Sequence, residues 1–173
     1  WQKRPLLIKG AMDVSRLGLS QKAMFQLAGQ AEVESRVIAR KGQSWSLSQG
    51  PFSARKLGGL KADAWTLLVQ GVEQPHLDAA ALLASFRFLP DARLDDLMVS
   101  WASPGGGVGP HFDSYDVFLL QLSGRRRWQI GPQTDLSLVP DLPLKILAHF
   151  EPTETHVLEP GDMLYLPPGT NMT

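Results

Sequence analysis

The chain has 173 residues, 43% of them hydrophobic, with 17 basic and 17 acidic side chains and no cysteine. That size and composition suit one folded domain with a single core, and the cancelling charges argue against a general nucleic-acid binder. The absence of thiols excludes disulfides and thiolate metal sites, so any transition metal must be held by His and carboxylate.

In chain order, Trp1 to Ile8 reads as a basic, aromatic-led opening into a short strand, Leu6-Leu7-Ile8. Ser20 is placed to cap a helix running to about Gln30, with Ala23, Met24, Leu27 and Ala28 at helical spacing. Alternation over Glu34–Arg40 and Ser44–Ser48, with Gly42 between, predicts a hairpin that Gly50-Pro51 ends. Trp65 to Val72 predicts a strand. His76 to Leu89 predicts a helix with Leu77, Ala80, Ala81, Ala84 and Phe88 on one face, stopped by Pro90. Strand character returns over Leu94–Ala102, and Pro104–Pro110 is a glycine-rich loop. Phe112–Leu122 and Arg126–Ile130 read as strands, residues 131–145 as a Pro- and Asp-rich excursion, and Thr155–Leu158 and Met163–Leu166 as the last strands. Helices first and short strands after predict a mainly β fold with flanking helices, a double-sheet barrel or jelly roll. The expected organisation is one domain, 1–173, with decoration over about 1–93 and a barrel core over about 94–173. No apolar stretch approaches the roughly 20 residues of a membrane span, and no signal peptide is visible, which fits a cytoplasmic protein.

The most informative run is Gly-Pro-His111-Phe-Asp113-Ser-Tyr115-Asp116, leading into Val-Phe-Leu-Leu. On a strand, residues two apart project from one face, so His111 and Asp113 would point at one spot. Imidazole plus carboxylate is two-thirds of a non-haem Fe(II) facial triad. A solvated turn before a strand is the competing reading, and the apolar strand that follows favours the site. The glycines 105–107 and 109 lack a Gly-Lys-Ser/Thr ending, and Pro110 removes a donor, so no phosphate loop is read there. Within Arg125-Arg126-Arg127, alternation sets Arg126 on the face opposite its neighbours, where a buried guanidinium would grip a carboxylate. His76, His149 and His156 are the remaining histidines, and His149 and His156 lie near the excursion.

Together these blocks resemble the JmjC-type 2-oxoglutarate oxygenases of the cupin superfamily, which share a double-stranded β-helix. Within them the chain is most similar to the bacterial ribosomal oxygenases that hydroxylate an arginine of a large-subunit ribosomal protein. The matching stretches are Trp1-Gln-Lys-Arg-Pro-Leu-Leu-Ile, Asp95-Asp-Leu-Met-Val-Ser, Pro104-Gly-Gly-Gly-Val-Gly-Pro-His-Phe-Asp-Ser-Tyr-Asp-Val-Phe, Gly124-Arg-Arg-Arg-Trp and Glu159-Pro-Gly-Asp-Met-Leu-Tyr-Leu-Pro-Pro-Gly.

The resemblance implies Fe(II) held by His111 and Asp113, and 2-oxoglutarate held at its far carboxylate by Arg126. Tyr115 and Asp116 are candidates for the slot that takes a substrate arginine, which calls for acidic and aromatic groups. The implied partner is a ribosomal protein, with no direct nucleic-acid or membrane partner, and with homodimerisation in a longer chain. Such enzymes carry a second histidine a few residues after the Pro-Pro-Gly, but here Gly169 is followed by Thr-Asn-Met-Thr. The sequence, which starts at Trp1 rather than Met, is therefore expected to be a piece or a gapped reading of a longer protein, incomplete in its C-terminal barrel strands. A degenerate two-ligand site is the competing expectation. Histidine hydroxylation, lysine demethylation and a non-catalytic cupin-like binding module stand as alternative functions.

Overall fold

A computed structural model of the chain describes residues 2–60 and 64–173; Trp1, part of the expected opening segment, lies outside them. Among the described residues the strands are β1 (Leu6–Ile8), β2 (Ser35–Lys41), β3 (Ser44–Gln49), β4 (Trp65–Val69), β5 (Val99–Ala102), β6 (His111–Phe112), β7 (Val117–Leu120), β8 (Arg126–Gly131), β9 (Glu154–Leu158), β10 (Met163–Leu166) and β11 (Asn171–Met172). The helices are α1 (Gln21–Leu27), α2 (Ala54–Gly58) and α3 (Leu77–Ala84). None of them is long and apolar enough to cross a membrane. The chain divides into two compact units, Leu17–Gly107 and Trp1–Arg16 with Val108–Thr173.

The contiguous unit is built on an antiparallel sheet ordered β3-β2-β4-β5. β4 is buried along its whole length, as its near-continuous apolar run requires. β5, grouped by the sequence with the barrel core, hydrogen-bonds to β4 and belongs here. The Ser20 hydroxyl caps α1 by accepting from the Ala23 amide at 3.3 Å, as predicted. The Ser53 hydroxyl caps α2 in the same way from Lys56 at 3.2 Å. α3 is shorter than expected and presents a different face. It buries Ala79 and Leu82, whereas Leu77 and Phe88 are 89% and 70% exposed. Gly106 lies close against the β4 backbone: a Cβ there would lie 2.2 Å from the Trp65 carbonyl oxygen.

The discontinuous unit consists of two sheets, β1-β10-β7 and β6-β11-β8-β9, all paired antiparallel. Leu164 and Leu166 of β10 meet Ile130, Leu158 and Met172 of the other sheet in one buried cluster, and Leu7, Val117, Leu119 and Trp128 close around it. This is the jelly-roll arrangement of two inner faces sharing one core.

The turn before β10 ties the first sheet together. The Asp162 carboxylate accepts from the Lys9 ammonium at 2.6 Å and from the Gly10 and Glu159 amides at 3.0 and 2.9 Å. These bonds hold its pKa down at about 2, the Lys9 bond contributing most. Gly161 has φ +90°, and a Cβ on it would lie 2.7 Å from the Met12 carbonyl oxygen, so both the turn and the close approach require glycine.

Candidate metal centre

The expected strand from Phe112 to Leu122 is broken. β6 ends at Phe112, residues 113–116 form a bend, and β7 begins at Val117. Asp113 therefore stands just beyond the strand that carries His111. Its backbone is still tethered, because its carbonyl accepts from the Gly169 amide at 2.7 Å.

Register shows which way these side chains face. Directly opposed residues of antiparallel strands project to the same side, and so do residues two apart on one strand. His111 is opposed to Met172, and Met172 in turn to Ile130. Ile130, Trp128 and Arg126 alternate along β8, opposed to Glu154, His156 and Leu158 of β9. Met172, Ile130 and Leu158 belong to the buried cluster, so this is the inner face. His111 and Arg126 thus share one face of one sheet. They lie two strands and four residues apart, on the order of 16 Å between Cα atoms at ordinary sheet spacings.

The orientation of His111 is set by backbone. Its Nδ1 lies 2.9 Å from the carbonyl oxygen of Gly109, a residue with φ +83°. A carbonyl can only accept, so Nδ1 carries the proton and Nε2 of the neutral ring presents its lone pair. This outer-partner arrangement is typical of metal-binding histidines. His111 and Asp113 are both half-buried.

Arg125 and Arg127 are exposed while Arg126 is partly buried, the alternation that the sequence implied. Burial pushes the Arg126 guanidinium below its ordinary pKa, and its Cζ stacks 5.7 Å from the centroid of the Trp128 ring. A cation stripped of part of its water favours an anionic ligand.

Tyr115 is 59% exposed. Asp116 is engaged elsewhere, accepting from the Tyr165 hydroxyl and, at 2.8 Å, from the Gln2 side-chain amide. Burial, with the bond to Asp116 next, pushes the Tyr165 phenol up.

The donors present fit iron in kind, one imidazole nitrogen and one carboxylate, but not in number. Among the described residues no three His, Cys, Asp or Glu side chains gather into a set that could hold a metal ion. His76 precedes α3 in the other unit, His149 is exposed just beyond the excursion, and His156 pairs with Glu154 at 3.1 Å. The sequence reading missed Met172 and Trp128 on the inner face. Alternation from Arg126 could have found Trp128; Met172 emerges only from strand register.

Two antiparallel sheets sharing one apolar core define the cupin class of β-fold. Residues 81–172 match the model of the JmjC domain, and the chain belongs to that family. It is 44% identical over 172 residues to the ribosomal protein uL16 3-hydroxylase of Escherichia coli, a match covering 98% of this chain and 45% of that protein. It is 35% identical over 171 residues to a probable ribosomal oxygenase of Haemophilus influenzae, covering 96% of this chain and 42% of that protein. Among solved structures, the Escherichia coli ribosomal oxygenase YcfD in complex with cobalt and 2-oxoglutarate superposes with a TM-score of 0.84 at 42% identity, covering 99% of this chain and 44% of that one. The chain thus spans less than half the length of these relatives.

Proposed function

We propose that this chain is the oxygenase part of an Fe(II)- and 2-oxoglutarate-dependent hydroxylase that acts in the cytoplasm on an arginine of the large-subunit ribosomal protein uL16. The observation that carries this reading is the inner face shared by His111 and Arg126. The relatives' hydroxylase and oxygenase names, and the cobalt and 2-oxoglutarate in the superposed structure, support it.

His111, through Nε2, and Asp113 would hold the iron. Arg126 would hold the far carboxylate of 2-oxoglutarate, its planar guanidinium matching a carboxylate in bidentate fashion. When bound, the metal would supply the redox chemistry by which O2, the co-reactant, is reduced: one oxygen atom enters the succinate formed as 2-oxoglutarate loses CO2, and the other is inserted into a substrate C–H bond. The chain's own contribution is orientation and exclusion of water. The Gly109 carbonyl fixes the imidazole tautomer, Trp128 stacks on the guanidinium, and the Leu164–Leu166 cluster keeps the floor of the site dry. Tyr115, exposed next to the His-x-Asp bend, is a substrate-side contact. Asp116 can join it only by giving up its bonds to Tyr165 and Gln2.

The test is to incubate the gene product containing this chain with Fe(II), 2-oxoglutarate and uL16-derived peptides bearing arginine or histidine at the target position. Succinate release with a mass gain of one oxygen on the arginine peptide is expected. Gain on the histidine peptide alone would move the assignment to another JmjC activity. No turnover together with no metal binding would leave a binding module.

A further inference from the structure

Facial coordination needs three protein donors on one side of an ion, so whatever completes His111 and Asp113 must stand on the inner face beside them. Among the described residues, β6 has a single ladder neighbour, β11, and the residue opposed to His111 there is Met172. Opposed residues in antiparallel strands have Cβ atoms about 4.5–5.5 Å apart, close enough for both side chains to reach one ion. Asn171 cannot substitute. It projects from the other face of β11, opposed to Phe112 and Gly131, and its side-chain nitrogen donates to the Gln133 carbonyl. Met172 is 2% exposed and packs with Ile130, Leu158, Leu164 and Leu166. Position 172 is therefore the inward position next to the imidazole.

We infer that the thioether of Met172 fills the third corner of the metal site, so that the described residues offer an ion two protein donors there and the identity of residue 172 sets the metal affinity. This rests on the proposed roles of His111 and Asp113. A thioether is neutral and soft; it suits Cu(I) far better than Fe(II) or Co(II). Surrounded by leucine and isoleucine, it acts as core packing, and a histidine of similar bulk would reach the same point with a nitrogen lone pair.

The inference is tested by titrating Co(II) into the protein and its variants, followed by calorimetry and visible absorption. Met172→His is expected to tighten Co(II) binding roughly tenfold or more, a scale on which even outer partners of metal sites act, and to change the Co(II) spectrum. Met172→Leu is expected to leave binding unchanged. Met172→Cys guards against a His variant that fails to fold: the parent has no cysteine, so a thiolate-to-cobalt charge-transfer band would report position 172 alone. Absence of both the affinity gain and the new band in folded variants overturns the inference, as does weakened binding in Met172→Leu, which would make the thioether a donor. If His111→Ala lowers the parent's affinity while Met172→His gives no gain, the inference fails but the ligand reading stands. If His111→Ala leaves the affinity of Met172→His unchanged, both fail.

Discussion

The two sheets of the discontinuous unit share a core but are held in different ways. β10 sits between β1 and β7 with ladders of three and four opposed pairs, and all four of its residues are buried. β11 sits between β6 and β8 with only two opposed pairs on either side. The first sheet turns leucine and valine inward. The second turns inward, among its apolar groups, an imidazole and a guanidinium. The inward side chains of the first sheet are close-packed and tolerate little change, whereas the inner face of the second, whose β8–β9 ladder runs to five pairs, admits two polar side chains among its apolar ones.

Substitution separates the two roles. Leu164→Ala removes a fully buried side chain from the middle of the platform and should cost about 2–5 kcal/mol in urea unfolding. An equal loss from His111→Ala would erase the distinction between the sheets. On the other sheet, Arg126→Ala should raise the 2-oxoglutarate requirement about tenfold to a hundredfold, the scale of a charged hydrogen bond of about 1.5–3 kcal/mol, while leaving Co(II) affinity unchanged. Arg125→Ala, exposed beside it, should leave both unchanged. Steady-state kinetics over a cosubstrate series, paired with metal titration, reads this.

The mildest effect concerns the turn that anchors β1. The Asp162 carboxyl has its folded pKa depressed from 3.8 to about 2. Its contribution is therefore fully present above pH 4 and is lost as pH falls from about 4 toward 2. Unfolding followed across that window should show a steeper loss in the parent than in Asp162→Asn. Parallel curves would show that the Lys9 and amide bonds do not stabilise the fold.

Local signals were legible where chemistry and periodicity agreed. Ser20 marked α1, Gly42 with flanking alternation marked the β2–β3 hairpin, and Arg126 was assigned inward by alternation alone. The α3 segment misled because it is rich in alanine and leucine all round, so several faces look apolar and tertiary packing selected Ala79 and Leu82. The strand expected from Phe112 was interrupted because Asp116 is drawn to Tyr165 and Gln2, partners distant in sequence. For the proposed site the sequence supplied the candidates His111, Asp113 and Arg126, but not the residue that faces them. That Met172 faces His111 depends on a pairing between strands some sixty residues apart, which no local pattern encodes.

The pairing of β1 with β10 also has a consequence for synthesis. Lys9 and Asp162, which close that pair, are separated by 153 residues, whereas Leu17–Gly107 is uninterrupted and holds its own sheet partners. At translation speeds of about 5–20 residues per second the nascent β1 must wait on the order of ten seconds for β10 to leave the ribosomal tunnel. During that wait the Leu6–Ile8 segment is a bare apolar edge, open to holdase chaperones, while the segment behind it can already be folded.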